Sequence, residues 1–110
     1  MQIEAKKYTY DDYTKLPEGT FYQLINGELI MSPAPSLYHQ KILNSLLIEL
    51  NNYNLKSDFG SIFPSQVDDY FDAHETYQPD IVFVAKERSH ILKETKIEGA
   101  PDLVIEILSE

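Results

Sequence analysis

The stretch that decides the fold is Gln78-Pro79-Asp80-Ile81-Val82-Phe83-Val84-Ala85. After Asp80 it is apolar without a break and rich in β-branched side chains, the mark of a strand covered on both faces. A second such run, Asp102-Leu103-Val104-Ile105-Glu106-Ile107-Leu108, follows Gly99-Ala100-Pro101 and is interrupted by Glu106. A carboxylate inside a doubly buried strand costs several kcal/mol of desolvation unless something pairs with it. Glu106 is therefore expected either to reach a cation or to be held by hydrogen-bond donors. Asp80, at the mouth of the first strand, poses a milder form of the same problem. Its bland reading is a turn residue capping the strand, and that of Glu106 is a carboxylate paired with a Lys or Tyr.

Sequential strands are often neighbours. If 81–85 and 102–108 pair antiparallel, Asp80 and Glu106 fall one strand spacing apart, roughly 5 Å. Two carboxylates that close repel unless a cation lies between them. Mg²⁺ and Mn²⁺ take oxygen ligands and keep several waters. An ion of this kind polarises a phosphoryl oxygen and lowers the pKa of its bound water.

Working outward, Lys86 to Lys96 is polar around Ile91 and Leu92, which suits a helical turn in a connecting loop. Upstream, Gln66 to Asp72 alternates loosely and predicts a strand with Val67 and Phe71 facing inward. Phe59 to Phe63 predicts another, stopped by Pro64. From Leu37 to about Tyr53, the residues Ile42, Leu43, Leu46, Leu47 and Leu50 recur at helical spacing, and Ser36 caps this amphipathic helix. Phe21 to Ile25 and Glu28 to Met31 flank Asn26-Gly27, whose two positive-φ positions make a type I′ hairpin. Tyr8 to Tyr13 predicts a short helix capped by Thr9, with Asp11 and Asp12 in the first turn. The sum is a single α/β (α+β) domain with helices packed on a central mixed sheet.

Composition narrows the function. The 110 residues are 43% hydrophobic and 12% aromatic, as in a globular chain. They include no cysteine, which excludes disulfides, thiolate catalysis and Cys-based zinc sites. No apolar run approaches the roughly 20 residues of a membrane span, and the N-terminus shows no signal segment. A soluble cytoplasmic protein without a membrane partner is expected. Eighteen acidic residues against nine basic ones give a net charge of −9. That disfavours holding DNA on a broad basic face, so any nucleic-acid role must rest on a local site or a bound metal. No phosphate-binding glycine loop and no Gly-x-Ser-x-Gly elbow are present, and the histidines lack zinc-ligand spacing.

Pro79-Asp80 opening one apolar strand and Glu106 within the next resembles the Pro-Asp…(Asp/Glu)-x-Lys signature of the PD-(D/E)XK nuclease superfamily. The wider string is similar to the bacterial putative restriction endonuclease family within it. That similarity is carried by the hairpin Tyr22 to Leu29, by Ser32-Pro33-Ala34-Pro35 followed by His39 on a helix, by Pro79-Asp80, and by Gly99 to Ser109. The resemblance implies a restriction-endonuclease-like fold and Mg²⁺-dependent (or Mn²⁺-dependent) hydrolysis of DNA phosphodiesters. It implies a metal site formed by Asp80, Glu106 and the backbone carbonyl of Ile107, with Glu28 approaching the same pocket.

Two positions depart from the family pattern: Gln23 stands where Glu is common, and Leu108 stands in place of the signature lysine. In the family that lysine has moved to a helix past the last strand, so the resemblance implies that the 110 residues lack this helix, its lysine and a further strand. The apolar surface near Leu103, Ile105 and Ile107 would then be left open, which predicts a homodimer. The rival reading is a catalytically incomplete nuclease-fold domain acting as an interaction or regulatory module. His39 reads as structural or exposed, with a catalytic role as the lesser alternative. Asp102, at a strand entrance, reads as a turn residue.

Overall fold

The structure is a computed structural model that describes residues 6–108; Ser109, the last residue of the resemblance, lies outside them. In chain order the elements are α1 (Tyr10–Thr14), β1 (Tyr22–Ile25), β2 (Glu28–Met31), α2 (Leu37–Ser57), β3 (Gly60–Pro64), β4 (Asp68–Asp72), β5 (Glu75–Tyr77), β6 (Ile81–Ala85), a 3-10 segment (Lys86–Ile91), β7 (Lys96–Glu98) and β8 (Leu103–Ile105). The strands form two sheets, β2-β1-β5-β4-β7 and β3-β6-β8. All pairs are antiparallel except β4 with β7. The domain is thus a mixed α+β fold, with its strands divided between two sheets where a single central sheet was expected.

Local chemistry accounts for the elements. Asn26 and Gly27 take φ values of 50° and 76°, which closes the β1–β2 hairpin. Thr9 caps α1 in a reciprocal capping box with Asp12. The Ser36 hydroxyl accepts the His39 backbone N–H at 3.0 Å and starts α2. The helix runs a turn past Tyr53 and ends at Asp58, in the left-handed region at φ 48°. There the Asn54 side chain accepts from the backbone N–H groups of Phe59 and Gly60 and donates to the Gly60 carbonyl, tying helix end to β3. Pro64 belongs to β3 rather than stopping before it, which an edge strand tolerates because its outer N–H needs no partner.

The core gathers Val82 and Val84 of β6 with Ile91 and Ile97, and Phe63, Val67 and Leu92 pack against it. The expected burial of β6 is present; that of the last strand is not. β8 covers only Leu103–Ile105 and lies at a sheet edge, with Leu103 46% and Val104 43% exposed. It is shortened at its start because Asp102 turns its carboxylate to the Ala85 N–H at 2.6 Å and its own N–H to the Phe83 carbonyl. The inward assignment of Phe71 is also corrected: a register shift between Tyr70 and Asp72 leaves Phe71 44% exposed, while Asp69 is the buried residue of β4.

Candidate metal and catalytic cleft

The pairing of Ile81 with Ile105 puts Asp80 and Glu106 opposite each other one step beyond the β6–β8 ladder. Both line a cleft of about 250 Å³, walled by Gln23 of β1, Pro33 and Pro35 of the following loop, and His39 of α2. Asp80 is held on several sides. One carboxylate oxygen meets His39 Nε2 at 3.2 Å, and the other accepts the Ile107 backbone N–H at 2.7 Å. Its own carbonyl accepts from the Ser65 N–H.

Glu106 is open to solvent on one side, since it follows the end of β8 rather than sitting inside it. The desolvation argument for Glu106 is corrected accordingly: its environment is the rim of a cleft, not a doubly buried strand. Partial burial still pushes its carboxyl pKa up, and the charge of Asp80 beside it pushes further, with His39 acting in the opposite sense. His39 itself is buried. Its imidazole pKa is raised, first by the bond from Nδ1 to Gln40 and then by Asp80 and Glu106, against the effect of burial.

A hydrogen-bonded chain backs the Pro79-Asp80 segment. The Gln78 N–H donates to Gln23 Oε1 at 2.9 Å, and the Gln78 amide donates to the Tyr13 hydroxyl and to Asp68. Tyr13 donates to Asp68 at 2.7 Å, and burial followed by that carboxylate raises the phenol pKa. Gln23 therefore shapes the cleft as a neutral acceptor.

Glu28 is not brought to this place. It pairs with Ile25 beside the hairpin turn, exposed, and does not line the cleft. Asp102 has a structural position, bonded to Ala85 and paired with Arg88 at 3.3 Å; the Ala85 N–H, with Arg88 adding, holds its carboxyl below the usual range.

The donor set decides which metal fits. No group of three His, Cys, Asp or Glu side chains that could hold an ion is found among the described residues, which is unfavourable for a zinc-type site. Mg²⁺ and Mn²⁺ need only one or two carboxylates and keep their remaining waters. Asp80 and Glu106 satisfy that requirement, because each carboxylate oxygen retains a lone pair beyond the bonds named above. A cation between them would also relieve the repulsion that raises the Glu106 pKa.

The place of His39 in the cleft has a signal in the sequence. The residue lies four residues before Leu43 and so on the apolar stripe of α2, where a polar residue needs a partner. Asp69 lies between Val67 and Phe71, where strand alternation places it on the same, inward face.

The family model described as "Putative restriction endonuclease" (Uma2) matches residues 10–110. Among solved structures, a putative nuclease belonging to DUF820 from Anabaena variabilis is similar, with 27% identity and a TM-score of 0.74. The match covers 92% of this chain and 58% of that one, so the chain spans little more than half the length of this relative. Comparison with curated proteins returns no match.

Proposed function

The chain belongs to the Uma2 family of restriction-endonuclease-like proteins, and from that premise we propose that it is a divalent-metal-dependent nuclease that hydrolyses phosphodiesters of DNA. The observation that carries the reading is the convergence of Asp80 and Glu106 on one cleft, close enough that the first raises the pKa of the second. Restriction-endonuclease-like families generally use divalent metals, and Mg²⁺ or Mn²⁺ suits this donor set. The two carboxylates and the Ile107 carbonyl would hold it. When bound there, such an ion supplies Lewis-acid polarisation of a phosphoryl oxygen and a water of lowered pKa.

The remaining steps belong to the chain. His39 and the Ile107 N–H fix the Asp80 carboxylate in one orientation, which lowers the entropic cost of assembling the site. A protonated His39 offsets part of the negative charge that would otherwise repel a phosphate. Gln23 and Gln78 brace the segment leading to Asp80 without adding charge. None of the described residues lining the cleft is Lys or Arg, so a positive charge for the developing phosphorane must come from the metal or from residues outside this cleft.

The test is calorimetric titration of Mn²⁺ and Mg²⁺ together with cleavage of supercoiled plasmid. Binding and cleavage should both appear in wild type, and both should be lost in Asp80→Asn and in EDTA. A folded protein that takes up neither ion would overturn the reading.

A further inference from the structure

We infer that a second cavity, sharing Glu106 with the cleft, is a pocket for an amino-bearing nucleobase whose N–H is accepted by the buried carboxylate of Asp69. The cavity measures about 510 Å³ and is lined by Asp69, Phe71, Tyr77, Pro79, Val104 and Glu106, with Glu75 alongside. Asp69 is 1% exposed, and its Oδ1 has no hydrogen-bond partner. A buried acceptor left unbonded costs free energy that a ligand N–H can recover. Glu75 alongside is already bonded, its Oε1 accepting the Asn26 N–H at 2.8 Å and its Oε2 the Tyr77 hydroxyl, so it gains less from a ligand donor than the unpartnered Asp69 oxygen does.

The walls specify what kind of body carries the donor. Phe71 and Tyr77 stand edge to face at 5.6 Å, and Pro79 and Val104 add apolar surface. A nucleobase offers flat apolar faces for such walls and in-plane N–H groups for the carboxylate. Stacking admits every base, whereas a carboxylate accepts best from an amino group, as aspartate does from cytosine N4. Thymine and uracil flank their single imide N–H with two carbonyls, which repel an acceptor. Continuity favours a nucleotide over a free amine. Glu106 lies on the wall common to both spaces, and Pro79 in the cavity adjoins Asp80 in the cleft. A phosphodiester at Asp80 and Glu106 would thus bring its own base to this cavity. The inference rests on the nuclease reading for that phosphate, but base binding itself needs neither metal nor cleavage.

The experiment is an NMR titration of the isotope-labelled full chain with adenosine, cytidine and uridine, probes that carry no phosphate. Adenosine and cytidine should shift the resonances of Phe71, Tyr77 and Val104 and bind about tenfold more tightly than uridine. Asp69→Asn should shrink that preference to about twofold or less. Phe71→Ala, a change at a half-exposed ring, should weaken all three nucleosides by about tenfold and serves as an independent variant if the first does not fold. Equal affinities in wild type, a preference that survives Asp69→Asn, or shifts confined to other surfaces would each overturn the inference. Plasmid cleavage with no nucleoside preference sinks the pocket alone. Nucleoside preference without metal uptake sinks the nuclease reading alone.

Discussion

Asp69 is the residue at which folding and chemistry pull apart. Burial raises its carboxyl pKa from 3.8 to about 6, so the folded state binds a proton more tightly than the unfolded chain does. Stability from this group is therefore fully present below about pH 4 and is lost as pH rises through about 6. The two-unit difference is on the order of 3 kcal/mol. Asp69→Asn keeps the shape and removes the titration. Urea denaturation at pH 5 and pH 7.5 should show a stability gain for the variant of about 1–3 kcal/mol at the higher pH and a smaller one at the lower. A variant less stable than wild type at pH 7.5 would contradict this. His39 carries the same sign in a higher pH window. Its raised pKa means that its contribution is present below about 6.5 and fades as pH climbs through the folded value. In Asp80→Asn the His39 Hε1 resonance should titrate at lower pH than in wild type, while the Gln40 bond keeps part of the upward shift. An unchanged midpoint would show that the ion pair is absent in solution. The carboxylates differ in how far sequence reveals them. Asp80 and Glu106 are visible because they break or open apolar runs. Asp69 lies in an acidic pair, Asp68-Asp69, where nothing but strand parity tells the buried member from the hydrogen-bonded one.

At the scale of elements, whatever depended on local chemistry was legible, whereas pairing was legible only between neighbours in the chain order of strong signals, as in the β1–β2 hairpin and the antiparallel β6–β8 pair. The Asn26-Gly27 hairpin, the Thr9 and Ser36 caps, the α2 stripe and the β6 run each carry their own signal over a few residues. β5 and β7 are three residues each, too short for a period of two to register, and they exist because β4 lies between them as a template. β8 ends sooner than its apolar run because past Ile105 the next backbone donor, the Ile107 N–H, goes to the Asp80 carboxylate and not to a strand carbonyl. Gly60 is a further feature that only pairing explains. It stands opposite Ala85 in β6, and a Cβ built there would lie 2.1 Å from the Val84 carbonyl oxygen. Backbone on both sides must move to admit it. Gly60→Ala should therefore destabilise the fold by roughly 2 kcal/mol or more, lowering the thermal midpoint by several degrees in circular dichroism. Gly19→Ala makes the informative contrast: nothing lies within 4 Å of its Cβ, so any loss there comes from its φ of +83° and not from a clash. Equal thermal midpoints for Gly60→Ala and wild type would mean that β3 does not pack on β6 in this register.

The whole molecule sets two large-scale features against each other: open apolar surface on one side and a net charge of −9 overall. An open groove of about 630 Å³ runs between α2 and the three-stranded sheet, bordered by Leu50, Tyr53, Phe59, Ile62, Phe83 and Leu103. Beside it β8 offers an edge unpaired by any described residue. Exposed edges with apolar side chains invite pairing with another chain. We expect concentration-dependent self-association in sedimentation equilibrium, weakened by Val104→Lys; a monomer throughout the concentration range would refute it. The stripe on α2 was legible, but what covers its far half is not a property of any local pattern. Charge governs the encounter with nucleic acid more directly. A protein that grips DNA through many Lys and Arg contacts loses affinity steeply with salt, by a slope near −0.9 per phosphate neutralised. Here no Lys or Arg lines the cleft among the described residues and the chain as a whole repels phosphate. On the nuclease reading proposed above, attraction would come through a metal held by Asp80 and Glu106 and through base contacts, a combination that would displace only one or two counterions. Raising salt also screens the repulsion between like charges. Between 50 and 200 mM KCl at saturating Mn²⁺, DNA affinity should fall by no more than about tenfold. In EDTA it should fall below detection at any salt. A fall of about a thousandfold across that range would require a cationic surface that these residues do not supply, and would place the DNA contact elsewhere.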